Sequence, residues 1–132
     1  MKIFTSYFAN SRAFGKEGVI GISIARYSPK WFSGPRLTIV APTSFMLSGA
    51  CSHDEYLKKY DEILSRLDPK QIVAMIDSIS RGKDVALCCY EKPGDFCHRH
   101  LLSEWFRKNG YEVEEWTSKE TKEQAKQLSL FE

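Results

Sequence analysis

The run Val85-Ala86-Leu87-Cys88-Cys89-Tyr90 decides the reading of this chain. It is apolar over its whole length, as a central strand buried on both faces should be. Downstream, Glu91-Lys92-Pro93-Gly94 reads as a loop that leads into a helix. Leu101, Leu102, Trp105 and Phe106 form that helix's buried stripe, Arg107 and Lys108 favour its carboxyl end, and Gly110 stops it. Tyr111-Glu112-Val113-Glu114-Glu115-Trp116 then alternates and reads as an edge strand.

Upstream of the central strand the chain is helical. Ser52-His53-Asp54-Glu55 fits a capping box, and Tyr56, Leu57, Tyr60, Ile63, Leu64 and Leu67 follow at helical spacing. Asp68-Pro69 caps and starts a second helix, whose stripe is Ile72, Met75, Ile76 and Ile79 and whose stop is Gly82. Nearer the amino terminus, residues 2–8 suit a strand and residues 10–18 read as a loop. In residues 19–25, Ile20, Ile22 and Ile24 share one face while Gly21, Ser23 and Ala25 share the other. The small face allows a helix or ligand to approach closely. A loop from Tyr27 to Pro35 precedes a short strand candidate, Leu37-Thr38-Ile39-Val40. Strands alternating with helices predict an α/β fold, a single domain with a largely parallel sheet flanked by helices. The expected boundaries are 1–116 for the domain and 117–132 for a polar tail.

The composition agrees with one globular domain. The chain has 132 residues, of which 42% are hydrophobic and 27% charged, which excludes wholesale disorder and fibrous repeats. A net charge of +2 does not by itself announce a nucleic-acid binder. No apolar run approaches the roughly 20 residues of a membrane span. Met1 to Ser6 is strand-like, without the layout of a signal peptide. The expectation is a cytoplasmic protein with no membrane partner, whose four cysteines are free thiols.

Most of the chemistry lies where the central strand turns into the following helix. Open α/β sheets bind ligands at this edge, and a first helical turn offers unpaired N–H groups to an anion. Cys97 falls in that turn, where a thiolate is stabilised and the thiol is activated as a nucleophile. Glu91, just past the strand, is placed to act as a base, and His98 completes the catalytic candidates. Arg99 and Cys89 are candidates for binding an anionic substrate. The bland reading makes Cys88 core, Cys97 a buried structural thiol, and His98 and Arg99 a solvated first turn. Cys89, Cys97 and His98 match no common zinc spacing, so no metal is expected, and no cofactor can be named. His53 and His100 are expected at the surface. Arg26 follows a buried strand and should point to the same edge, with Lys30 in the loop behind it. Trp31 and Phe32 could stack bases beside these cations, but core packing is the favoured reading.

Cys89-Tyr90-Glu91, a five-residue spacer and Cys97-His98-Arg99 resemble the C-x-E…C-H-R signature of the domain of unknown function 488 family. Arg26-Tyr27-Ser28-Pro29 is similar to that family's D-V-R-x-x-P element, although the acidic position is Ile24 here and its carboxylate has no counterpart. The resemblance spans roughly residues 1–116. It implies a small α/β domain with a shared polar site and no established reaction.

The chain closes on Gln127-Leu128-Ser129-Leu130-Phe131-Glu132. Gln127 to Phe131 resembles the Q-L-[S/D]-L-F pentapeptide by which bacterial replication and repair proteins dock on the sliding clamp. Leu128, Leu130 and Phe131 would be the apolar anchors and Gln127 a rim hydrogen bond. The same residues could instead fold back onto their own domain.

Three readings follow. One is an enzyme acting on a nucleotide or nucleic acid, in DNA repair or replication, with Arg26 and Arg99 as anion anchors. The others are a non-catalytic nucleotide or nucleic-acid-binding module and a clamp-docking adaptor.

Overall fold

Four short strands pair in the order β2-β3-β1-β4 to form an all-parallel sheet. They are β1 (Ile3–Tyr7), β2 (Ile20–Ser23), β3 (Val85–Cys89) and β4 (Val113–Glu115). The helices are α1 (Ser11–Lys16), α2 (His53–Ser65), α3 (Pro69–Ser80) and α4 (His98–Lys108). The structure is a computed structural model and describes residues 1–90, 98–118 and 126–127. The expected α/β fold with a parallel sheet is what forms. No helix among the described residues is long and apolar enough to cross a membrane.

β3 is buried at all five positions because it is central and covered on both faces. Its register sorts the side chains into two cores. On one face, Ile3, Val85 and Val113 lie in one row with the half-buried Ile20, and Ile22 and Leu87 sit one row further along. This aliphatic face packs against residues of α2, α3 and α4, among them Tyr60, Leu64, Ile72, Ile76, Leu102 and Phe106. On the other face, Ala86 and Cys88 join Phe8, Phe14, Phe32 and Trp116 in an aromatic core.

The helix caps follow the sequence. Ser52 Oγ accepts from the Glu55 amide at 3.2 Å, and Asp68 Oδ1 accepts from the Lys70 amide at 3.0 Å. Arg81 at φ 54° and Gly82 at φ 80° then turn the chain out of α3, in the left-handed region that glycine adopts without strain.

Two local expectations fail. Residues 11–16 form α1 rather than continuing a loop. Its one buried residue is Phe14, which stands over Gly21 of β2; a Cβ at Gly21 would come within 3.1 Å of the Phe14 ring. The small face of β2 thus receives a helix, as its glycine suggested. Residues Thr38–Val40 form a 3-10 turn instead of a strand. Pairing with β2 stops one step earlier, at a single bridge between Ser23 and Arg36 and a bond from the Leu37 amide to the Ser23 carbonyl at 2.8 Å.

Candidate functional site at the carboxyl edge of the sheet

β2 and β3 are adjacent and parallel, so their carboxyl ends open on the same edge. The pairing runs one residue past β2, where the Ile24 amide donates to the Cys88 carbonyl at 3.0 Å. The Ile24 carbonyl then accepts a 2.8 Å bond from His98 Nε2, at the start of α4. A carbonyl can only accept, so Nε2 must carry the hydrogen. This bond sets the segment that continues into Arg26 beside the segment that begins α4. Of the expected shared site, Arg26 follows the end of β2 and Arg99 lies in the first turn of α4; the Arg26 guanidinium turns to the Ala41 and Pro42 carbonyls, and that of Arg99 to Glu115 and Cys89. Glu91 and Cys97, the other two members, lie outside the described residues, as do Leu128, Leu130 and Phe131.

His98 is buried, and its ring meets Tyr60 of α2 edge-on at 5.5 Å between centroids. The Tyr60 hydroxyl donates to the Val40 carbonyl at 2.8 Å, and burial raises its pKa well above the usual value. Burial, with a smaller contribution from the Arg99 charge, pushes the His98 imidazole down to about 4, while its bond to Ile24 opposes the shift. A neutral ring that donates to a backbone carbonyl ties α4 to β2. Such a ring is a poor proton carrier near neutral pH, and its bond to Ile24 suits a positioning role beside the expected catalytic one.

Arg99 is fully buried, and its charge is answered within the fold. Nε and Nη2 donate to the two carboxylate oxygens of Glu115 at 3.1 and 3.0 Å, a bidentate pair. Nη1 donates to Cys89 Sγ at 3.0 Å, and the guanidinium lies 5.9 Å from the Tyr7 ring centroid. Thr5 Oγ1 also donates to Glu115 Oε1 at 2.9 Å. The Arg99 fork, expected to bind substrate anions, holds in this structure a carboxylate that sequence reasoning passed over. A signal for Glu115 was present. Strand alternation puts it on the same face as Val113, which is buried, so the carboxylate points inward.

Cys89 is disulfide-bonded, which corrects the expectation of four free thiols; Cys51 and Cys88 are free. Cys88 is a core residue as expected, and burial raises its thiol to about 12. Arg26 is half-buried and clamps the loop opposite, with Nε donating to the Pro42 carbonyl at 2.8 Å and Nη2 reaching the Ala41 carbonyl at 3.5 Å. Lys30 is exposed, and so are His53 and His100. Gln127 is exposed as well. The Trp31–Phe32 pair divides: Phe32 enters the aromatic core, while Trp31 stays 62% exposed. Among the described residues, no three His, Cys, Asp or Glu side chains gather where they could hold a metal ion.

Fold and site together define a small parallel α/β domain with a polar edge built from the ends of β2 and β3 and the start of α4. Residues 16–110 match the family described as the active DUF488-N3 subclade (DUF488-N3a), and because the match covers most of the chain, the chain belongs to that family. No curated protein and no solved structure matches it.

Proposed function

We propose that this protein is an enzyme acting on a nucleotide or nucleic acid at the carboxyl edge of its sheet. In this reading, in the reduced protein, Cys97 is the nucleophile, Glu91 the base that takes the thiol proton, and Arg26 with Lys30 the cationic side of the substrate site. His98 and Arg99 position the start of α4. The observation that carries the reading is the bond from His98, at the start of α4, to the carbonyl of Ile24, two residues before Arg26. Parallel α/β sheets bind their ligands at such an edge.

The test is timed alkylation of the protein after reduction with dithiothreitol, read by mass spectrometry. Reduction comes first because Cys89 is disulfide-bonded. Near neutral pH, Cys97 should react at least about tenfold faster than Cys88, whose thiol burial has raised to about 12. Equal protection of both would make Cys97 a structural residue. Ligand binding that survives Cys97→Ser, without turnover in the parent protein, would establish the non-catalytic binding module instead.

The pentapeptide from Gln127 to Phe131 supports a second proposal, that the chain docks on a sliding clamp during replication or repair. Thr117 to Lys126 would act as a tether and raise the domain's local concentration at DNA. Leu130→Ala and Phe131→Ala should each remove most of the binding in a direct titration against the clamp. Undetectable binding of the unaltered chain would return the peptide to a structural role.

A further inference from the structure

The aromatic face of the sheet leaves two large rings in solvent. Trp31 is 62% exposed and Tyr90 is 52% exposed. Both are braced on one buried ring, Phe8. Trp31 meets it at 6.4 Å between centroids with the planes 85° apart, and Tyr90 meets it at 5.0 Å with the planes 67° apart. Phe8 rests in turn on Phe32 at 5.1 Å. Near-perpendicular contacts hold a ring in place while leaving much of its π surface uncovered. The two rings are thus fixed near one another with exposed surface that the fold itself does not use.

Along the chain the charge is unevenly divided, although the net charge of +2 conceals it. From Met1 to His53 the chain carries six Lys and Arg residues and a single carboxylate, Glu17. The rest of the chain carries thirteen Lys and Arg against sixteen Asp and Glu. The basic part supplies β1, α1, β2 and the loop that holds Trp31. Lys30 adjoins Trp31 in sequence, Arg36 bridges to Ser23 of β2 beyond the same loop, and both cations are exposed. Arg12 and Lys16 are exposed on α1, whose Phe14 belongs to the same aromatic core.

We propose that this face is a platform for single-stranded nucleic acid, with Trp31 and Tyr90 stacking on unpaired bases and Lys30 and Arg36 contacting the phosphates. The proposal rests on the nucleic-acid part of the reading above and is independent of the thiol chemistry. The basic surroundings select a polyanion. The exposed rings select bases whose faces are free, which a duplex buries within its own stack.

The test is fluorescence anisotropy with a labelled single strand of about 15 nucleotides, within reach of a short binding groove, and with the matching duplex. The unaltered chain should bind the single strand at least about tenfold more tightly than the duplex. Trp31→Ala with Tyr90→Ala should weaken single-strand binding by about tenfold or more, at an unchanged melting temperature. Lys30→Gln with Arg36→Gln should lower the salt dependence of binding by about one to two counterions. Equal affinity for duplex and single strand, or binding indifferent to loss of the two rings, would overturn the platform. So would the absence of binding to either probe. The two ideas fail separately: slow alkylation of Cys97 removes the thiol chemistry, while single-strand binding by the unaltered chain that is lost with Trp31 and Tyr90 keeps the platform.

Discussion

The two faces of the sheet are built on different principles. The face under α2, α3 and α4 is aliphatic, and at its carboxyl corner it turns polar, where Thr5 and Glu115 share a register row with Leu87. There a buried guanidinium joins α4 to the edge strand β4. The face under α1 is aromatic, is lined by small residues such as Gly21 and Ala86, and reaches solvent through Trp31 and Tyr90. The first face spends its charges on itself, since Arg99 is answered by Glu115. The second keeps Lys30 and Arg36 exposed. The first face holds the fold; the second is the one for which a partner is proposed.

The largest effect should come from breaking the polar corner. Glu115→Ala removes the carboxylate that holds two nitrogens of a fully buried guanidinium. It should cost about 3–5 kcal/mol of stability in urea denaturation, because one charge of a buried pair stays desolvated. Replacing both partners, Arg99→Met with Glu115→Leu, should recover much of that loss. A loss below about 1 kcal/mol for the single change would show that this corner is no anchor.

The corner also tests how far the sequence spoke. The caps of α2 and α3 and the central position of β3 were legible, because each depends on residues close together in the chain. The Arg99–Glu115 pair was not, since it joins two elements whose approach only the folded sheet defines. Only the inward alternation of Glu115 hinted at it. The helix α1 was hidden for a related reason. Ser11-Arg12-Ala13-Phe14-Gly15-Lys16 is six residues with an internal glycine, too short to form a helix on local preference. It forms around Phe14, which packs on Gly21 and meets Trp116 edge-on at 4.9 Å. At the site, the common direction of β2 and β3 was legible. The engagement of Arg99 and His98 was not, because it depends on partners 16 and 74 positions away.

Acid should weaken the aliphatic face through His98. The folded protein holds this imidazole near 4, whereas an unfolded chain titrates near 6.5. Between those values the unfolded chain takes up a proton that the folded protein refuses, so stability falls as pH falls from about 6.5 to about 4. The loss over that window should approach about 3 kcal/mol for this group. His98→Gln keeps a donor for the Ile24 carbonyl without a titrating ring, and its unfolding curves at pH 7 and pH 4.5 should lie closer together than those of the parent. An unchanged pH dependence would place the acid sensitivity elsewhere.

On the aromatic face, Gly21→Ala probes the fit of α1. The new methyl would sit 3.1 Å from Phe14 Cδ2, closer than ordinary contact, so the Phe14 ring must shift within a packed core. The expected cost is about 1–2 kcal/mol, read as a lower denaturation midpoint. Combining the change with Phe14→Leu should recover part of the loss if the clash is the cause. No recovery would mean that a neighbour other than Phe14, such as the Phe32 ring at 3.7 Å, limits the space at Gly21.

The smallest effect on stability separates the two neighbours that the sequence treated as one unit. Phe32 lies in the aromatic core against Phe8, whereas Trp31 is 62% exposed and touches Phe8 only from outside. Truncating an exposed ring removes little buried area, so Trp31→Ala should change stability by no more than about 0.5 kcal/mol. The same truncation at Phe32 should open a cavity beside Phe8 and lower the midpoint far more. A large loss at Trp31 would make its ring part of the core and remove the reason to give it to a partner. A negligible loss would leave an indole in solvent beside Lys30 with no role in holding the fold. Recognition by stacking accounts for such a ring; packing does not.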